Sequence, residues 1–176
     1  MASVVFLRAA NVGGHQTFKP SALAKELAEL DAVNIGSAGT FVIRAAMTPA
    51  KLRAEFNRRL PFEPELMICR GRELLDLVAA EPFADVQDDG EARRYVSVLA
   101  KRPRKLPSLP LFKPEGDEWQ VQVIGVIGSF AISLHRRVGK RLIYPNEVVE
   151  KHLAVAATTR NWNTVEAICK VLEGDF

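Results

Sequence analysis

Hydrophobic and polar positions follow two periods in the first half of the chain, one typical of strands and the other of helices. Short apolar runs bounded by turn residues predict four strands, at residues 4–7, 33–35, 40–43 and 65–69. Apolar residues spaced by three and four predict a helix that begins near Pro20 and another that begins at Thr48 and Pro49. The predicted order is βαββαβ, the split βαβ unit of ferredoxin-like folds, and a further helix is predicted over residues 72–80.

The second half has a similar succession of predicted elements. They are a strand, a proline-rich connection, a hairpin that turns at Gly128 and Ser129, and a helix opened by Pro145. An acidic, turn-rich stretch at residues 85–91 predicts the boundary between the halves. We therefore expect an α+β chain of two ferredoxin-like halves in tandem, with mainly antiparallel sheets and helices packed on them. The halves would span residues 1–84 and 85–176, and the second would include a terminal helix.

Charge is unevenly distributed along the 176 residues, although the net charge is only +3. Residues 93–141 contain eleven Lys and Arg but only three acidic residues, which permits an anionic partner. Two clusters could neutralise nucleic-acid phosphates, or could simply be solvated surface. They contain Lys101, Arg102, Arg104, Lys105, Arg136 and Arg137.

The remaining composition favours a cytoplasmic protein without a membrane span. No apolar run approaches the roughly 18 residues that a transmembrane helix needs. The chain enters its first predicted strand without the positively charged start of a signal peptide. Cys69 and Cys169 are the only cysteines, no CxxC pair exists, and the histidines lack ligand spacing. We expect two reduced thiols, no metal site and no cofactor.

The most distinctive stretch is residues 158–165, which read Thr-Thr-Arg-Asn-Trp-Asn-Thr-Val. One interpretation is the start of a helix, with Asn163 as N-cap and Glu166 completing a capping box. The other is a ligand site, in which Arg160 and the free N–H groups of a helix N-terminus meet an anion. Asn161 and Trp162 would contribute to either arrangement.

The loop between the first strand and the first helix is a second candidate for anion binding. Asn11, Gly13 and Gly14 could present backbone N–H groups, next to Arg8 at the end of the strand. The motif is weak, since it has neither the spacing of GxGxxG nor a P-loop lysine, and a simple turn would explain it equally well. Ser37 lies in the second turn without a GxSxG elbow, so the catalytic residues, if any, are unknown.

Three stretches resemble the bacterial family called domain of unknown function 1697. Residues 7–14 (Leu-Arg-Ala-Ala-Asn-Val-Gly-Gly) are similar to the usual opening of that family, and residues 157–165 are similar to its end motif almost residue for residue. Residues 80–83 (Ala-Glu-Pro-Phe) match a landmark between them. The resemblance implies the α+β fold of two ferredoxin-like halves and brings no established activity with it.

The chain departs from the family pattern at three places. It has Ala9-Ala10 where the family has Gly followed by Ile or Val, and residues 37–40 lack the usual Ser-Gly-Asn. Residues 144–147 read Tyr-Pro-Asn-Glu where a Ser-Lys pair is common. A role that needs that lysine or that asparagine is therefore not carried over to this chain.

These observations favour a non-enzymatic module that binds a small anionic ligand or nucleic-acid phosphates. The expected ligand contacts come from both loops, which should lie close together: Arg8, Asn11, Gly13, Gly14, Ser37, Arg160, Asn161, Trp162 and Asn163. One alternative is an enzyme that acts on a small polar or phosphorylated substrate, with Arg160 holding an anionic group and Ser37 or Thr159 near the chemistry. Another is a structural or protein-interaction subunit in which both motifs only support folding.

Overall fold

A computed structural model of the chain describes residues 1–8, 17–87 and 89–174. These residues form two units. The first contains Met1–Ala79 together with Thr164–Phe176, and the second contains Ala80–Asn163. The chain therefore leaves the first unit once and returns to it for its last helix.

The first unit is built on a four-stranded sheet. Its elements are β1 (Ser3–Leu7), α1 (Pro20–Glu26), a 3-10 turn (Ala28–Leu30), β2 (Ala32–Ile35), β3 (Thr40–Ile43), α2 (Pro49–Arg59), β4 (Leu66–Arg70) and α3 (Gly71–Ala79). The strand order is β2-β3-β1-β4, and all neighbouring strands are antiparallel. The ends of the four predicted strands are each within one residue of those observed.

The pattern of burial explains why the sequence of β1 is apolar throughout. Val5 and Leu7 pack into the cluster that also contains residues of α1 and α2, such as Leu23 and Phe56. Val4, on the opposite face, is also completely buried. A strand covered on both faces reads as a continuous apolar run rather than an alternation, because no position meets solvent.

The second unit is built on a five-stranded sheet. Its elements are β5 (Arg93–Leu99), β6 (Leu111–Lys113), β7 (Val121–Ile127), β8 (Phe130–His135), α4 (Pro145–Leu153) and β9 (Ala157–Asn161). The strand order is β6-β7-β8-β5-β9, and all neighbouring strands are antiparallel. Val148, Val149 and Leu153 of α4 pack on one face of this sheet, against alternate residues such as Val121 and Ala157.

The end of the second unit differs from the prediction. Residues 157–161, expected to lead into a helix, are the strand β9, and α5 (Trp162–Leu172) begins directly after it. Asn163 is thus the second residue of the helix, and the prediction that it is the N-cap was wrong. Most of α5 also groups with the first unit rather than with the second half, in which the sequence analysis had placed it.

The fold class is α+β, as predicted, with two antiparallel sheets and five α-helices in the described part of the chain. The second unit does not repeat the βαββαβ order, because no helix lies between β5 and β6 in residues 99–111, all of which are described. The description of both halves as ferredoxin-like therefore stays a prediction.

Candidate functional site

The two predicted ligand loops are described to different extents. Asn11, Gly13 and Gly14 fall in residues 9–16, outside the described residues. Arg8 follows β1, where its guanidinium forms an ion pair with Glu65 at 2.7 Å. Ser37 is exposed in the turn between β2 and β3. The prediction that the first loop lies close to the last motif stays a prediction.

Arg160 on β9 is the most deeply buried of those predicted ligand contacts that the structure describes. It is only 7% exposed. Its Nη1 donates to the hydroxyl of Thr158 at 2.7 Å and to the carbonyl oxygen of Thr159 at 3.1 Å. Burial lowers the pKa of Arg160 to about 10, which measures the cost of holding this charge away from water. Both of these hydrogen bonds are therefore made within β9.

Thr159 points to the opposite face of the sheet and belongs to a chain of polar groups. Its hydroxyl donates to Oδ1 of Asn146 at 2.8 Å, so the Ser97 hydroxyl, 2.7 Å away, must donate to Thr159. Nδ2 of Asn146 in turn donates to Glu150 at 2.8 Å. The network ties β5, β9 and α4 together. Because an amide oxygen is a poor base, this arrangement gives no activation of Thr159 as a nucleophile.

Trp162 and Asn163 open α5. The Trp162 ring meets the Phe83 ring edge to face, with centroids 5.0 Å apart, and the guanidinium of Arg94 lies 5.6 Å from the Phe83 centroid. This stack anchors the start of the helix within the second unit. Asn163 is exposed.

The two predicted basic clusters lie at opposite ends of the second sheet. Lys101 follows the end of β5, whereas Arg136 and Arg137 follow the end of β8, where His135 pairs with Arg93 at the start of β5. Seven strand residues separate the two ends, or roughly 20 Å at about 3.3 Å per residue. The remaining members of the first cluster are exposed in the same loop: Arg102, Arg104 and Lys105.

A concave site lies at the Arg137 end of this sheet. It encloses about 590 Å³ and is hereafter the basic cavity, lined by Glu91, Arg93, Tyr95, His135, Arg136, Arg137, Leu142 and Tyr144. Arg93, Tyr95 and His135 share one face because alternate strand residues point the same way and Arg93 pairs with His135. Three guanidinium groups against one carboxylate leave the lining net positive.

Two of these cations are available to a ligand. Arg93 and Arg137 are exposed, and neither forms an ion pair within the described residues. Arg136 is already engaged, since its Nε donates to the carbonyl oxygen of Trp119 at 2.7 Å and its guanidinium lies 4.0 Å from the Trp119 ring centroid. The basic cavity thus combines two exposed cations without ion-pair partners in the described residues with one, Arg136, that is held by a hydrogen bond and a ring contact.

His135 forms the aromatic wall of the basic cavity with two tyrosines. The Tyr95 ring meets it edge to face at 5.9 Å, and the Tyr144 ring stacks on it at 6.0 Å. Burial lowers the pKa of His135, and the charge of Arg137 acts in the same direction, against the hydrogen bond to the carbonyl oxygen of Ile143 at 2.8 Å. The neutral ring donates through Nε2, because a carbonyl only accepts, and leaves Nδ1 as an acceptor.

One buried hydroxyl next to this wall has no hydrogen-bond partner among the residues that the structure describes. Ser133 is completely buried, and its Oγ makes no hydrogen bond there. It lies on the same sheet face as His135, directly across from Tyr95. Buried polar groups are rarely left unsatisfied, so this hydroxyl is an exception within the sheet.

Sequence reasoning missed most of the basic cavity. Arg93 and Tyr95 were assigned only to a charged segment and a strand. His135 was considered as a metal ligand and as a neighbour of Arg136 and Arg137 in a basic cluster, but not as part of an aromatic wall. The available signal was the alternation of Arg93, Tyr95 and Ser97 along one strand, but the register that places His135 beside them is a tertiary contact. No group of three or more potential metal ligands occurs in residues 1–8, 17–87 and 89–174.

The fold and this site define a small α+β protein with two antiparallel sheets and a concave basic surface on the second. No helix in the described part of the chain has the length and apolar character to cross a bilayer. The family described as "Protein of unknown function (DUF1697)" matches residues 1–126, and the chain belongs to it, which confirms the predicted family. The end motif at residues 157–165 lies outside the matched region.

The fold also has a relative among solved structures. The chain is similar to the conserved bacterial protein SP0830 from Streptococcus pneumoniae, with a TM-score of 0.55 and 15% sequence identity. The alignment covers 97% of this chain and 98% of that one. At this identity the likeness concerns the fold alone. No curated protein matches the chain.

Proposed function

We propose that the protein is a binding module for a small anionic ligand that carries a flat ring, and that the basic cavity is its site. The observation that supports this most is the pair of exposed guanidinium groups, Arg93 and Arg137, beside an aromatic wall in a concavity of about 590 Å³. That volume is within the usual range of small-molecule sites, roughly 300–1,000 Å³.

Each part of the lining has a matching ligand feature. A guanidinium group binds carboxylate or phosphate oxygens through parallel N–H donors, so Arg93 and Arg137 would hold the anionic group. The exposed ring of Tyr144, 53% accessible, offers a flat surface on which a ligand ring can stack. His135 Nδ1 would accept a hydrogen bond from the ligand.

The experiment is a binding titration with three matched probes: adenosine monophosphate, adenosine and ribose 5-phosphate. Only the first has both a ring and a phosphate, so it should bind tightest. Arg137→Gln and Arg93→Gln should each lower the affinity for adenosine monophosphate about tenfold, which is the effect of losing a charged hydrogen bond. Lys105→Gln removes an exposed charge at the far end of the sheet and is the matched control. Equal affinities for adenosine and adenosine monophosphate would contradict the proposal.

A second candidate function is binding to nucleic-acid phosphates. It is favoured by four exposed cations on one loop that form no ion pair in the described part of the chain: Lys101, Arg102, Arg104 and Lys105. Such binding would fall steeply with salt, because bound counterions are released. Lys105→Gln should weaken the binding of a short single-stranded RNA and leave the binding of adenosine monophosphate unchanged, which separates the two functions.

A further inference from the structure

A second concavity lies on the opposite face of the same sheet. It also encloses about 590 Å³ and is hereafter the apolar cavity. Its floor consists of side chains that point away from α4: Ile124 of β7, with Ile132 and Leu134 of β8. Trp119 and Pro110 form part of the wall. An apolar floor of this size in a concave site is typical of a small-molecule pocket.

The floor contains unfilled space at one defined position. The register between β7 and β8 shifts between Val123 and Gly125, and Gly125 then pairs with Ile132 on the floor. A Cβ built on Gly125 would meet no atom within 4 Å. Its backbone does not have the positive φ that would demand glycine. A side chain could therefore occupy this position, and its absence leaves room for a ligand.

The charge at the rim has the opposite sign to that of the basic cavity. Asp85 and Asp89 line the apolar cavity, and none of its described lining residues is Lys, Arg or His. Oδ1 of Asp89 accepts from the backbone N–H groups of Glu91 at 2.9 Å and Ala92 at 3.2 Å. These bonds lower the pKa of Asp89, so its carboxylate stays ionised.

One nearby cation offsets part of this charge. Arg136 lies against Trp119 and donates to the carbonyl oxygens of Trp119 and Asp117, which fixes the indole as a wall. Asp85 is exposed and has no cation partner in the described residues. The rim is therefore negative beside an apolar floor, which selects against anions and favours amphiphilic cations.

We infer that the apolar cavity binds a small organic cation, whose hydrocarbon or aromatic body lies on Ile124, Ile132 and Leu134 and whose charged end meets Asp85 and Asp89. The proposal does not rest on the anion site in the basic cavity, although Arg136 lines that cavity and packs on Trp119, a wall of this one. It gives a use to the unfilled space at Gly125 and to the acidic rim formed by Asp85 and Asp89.

The probe is 4-phenylbutylamine, with 4-phenylbutanol and 4-phenylbutyrate as matched neutral and anionic compounds. The chain has two tryptophans, so an NMR spectrum has two indole N–H signals, which Trp162→Phe assigns. The amine should shift the Trp119 signal more than that of Trp162, which does not line the cavity. It should bind about two- to fivefold more tightly than the alcohol, the range of an exposed ion pair. The acid should bind most weakly.

Two variants test the geometry. Asp85→Asn should reduce the preference for amine over alcohol, because only the Asp89 carboxylate then remains at the rim, while the alcohol should bind unchanged. Gly125→Leu, which places a side chain on the floor, should abolish binding of both. If Gly125→Leu does not fold, Asp85→Asn still tests the proposal, because Asp85 is exposed and its substitution should not disturb folding. The inference is overturned if the acid binds most tightly, or if a folded Gly125→Leu binds the amine unchanged. It is also overturned if Trp119 responds to a basic amphipathic peptide but to none of the three probes.

Discussion

Arg160→Met is the substitution that separates a supporting role of the end motif from a ligand-binding one. Methionine keeps a flexible apolar side chain and removes the guanidinium. Two hydrogen bonds from a charged donor, to Thr158 and to Thr159, would be lost, worth about 1.5–3 kcal/mol each. The variant also avoids the cost of burying the charge. A pKa lowered from 12.5 to about 10 corresponds to a cost of roughly 3 kcal/mol.

We therefore expect Arg160→Met to be less stable than the wild type by about 2 kcal/mol. The Thr158 hydroxyl is only 4% exposed, so water would not replace the donor that it loses. Urea unfolding followed by tryptophan fluorescence measures this locally, since both tryptophans, Trp119 and Trp162, lie in the second unit. Far-UV circular dichroism reports on the whole chain.

The matched control is Arg72→Met. Its guanidinium is 68% exposed and pairs with Asp76 on the surface of α3, so the expected change is within about 0.5 kcal/mol. If Arg160→Met unfolds at the same urea concentration as the wild type, the argument from burial fails. Arg160 would then be retained for a contact with a ligand rather than for the strand.

Three further outcomes are expected. Gly71→Ala should cost about 1 kcal/mol in urea unfolding, because its Cβ would lie 2.6 Å from Cδ2 of Leu172, and adding Leu172→Ala should recover part of the loss. His135 has a pKa below its ordinary 6.5 in the folded state, so its contribution to the free energy of unfolding is full above pH 6.5 and is lost as the pH falls below that value. In the variant His135→Gln, the free energy of unfolding should therefore fall less on acidification. Thr159→Val should cost about 1–2 kcal/mol, and adding Ser97→Ala should cost less than the sum of the single variants; additive costs would argue against the network.

The first sheet was predictable because its strands carry their own signal. β1 and β3 are short apolar runs bounded by turn residues. Thr48 is the N-cap of α2, and its hydroxyl accepts from Lys51 N–H at 3.3 Å. Each of these signals is local, so no knowledge of the rest of the chain is needed.

The second sheet was only partly predictable, because two of its strands depend on partners. β9 carries Thr158 and Arg160 on one face and Thr159 on the other, so it lacks an apolar alternation. Its polar groups are satisfied by α4 and by neighbouring strand residues, and local patterns cannot report that. β6 has three residues between prolines and exists because Leu111–Lys113 pairs with β7.

The candidate site was the least predictable part. The residues that stand out in the sequence, such as residues 158–163, are neighbours along the chain. The basic cavity instead combines positions 91–95, 135–137 and 142–144, which become neighbours only through the register of β5 and β8. Arg136 and Arg137 were selected for their charge, and their neighbours Tyr95 and Tyr144 could not be paired with them from spacing alone.

The division of the chain also sets an order for its synthesis. Residues 80–163 form a unit that is contiguous in sequence, whereas the first unit includes residues from Thr164 onward. On the ribosome, the second sheet can close as soon as β9 has emerged, while the earlier segment still waits for α5 to pack beside Gly71. The part translated first is thus completed last, and a chain stopped at residue 163 would carry a finished second unit on an unfinished first one.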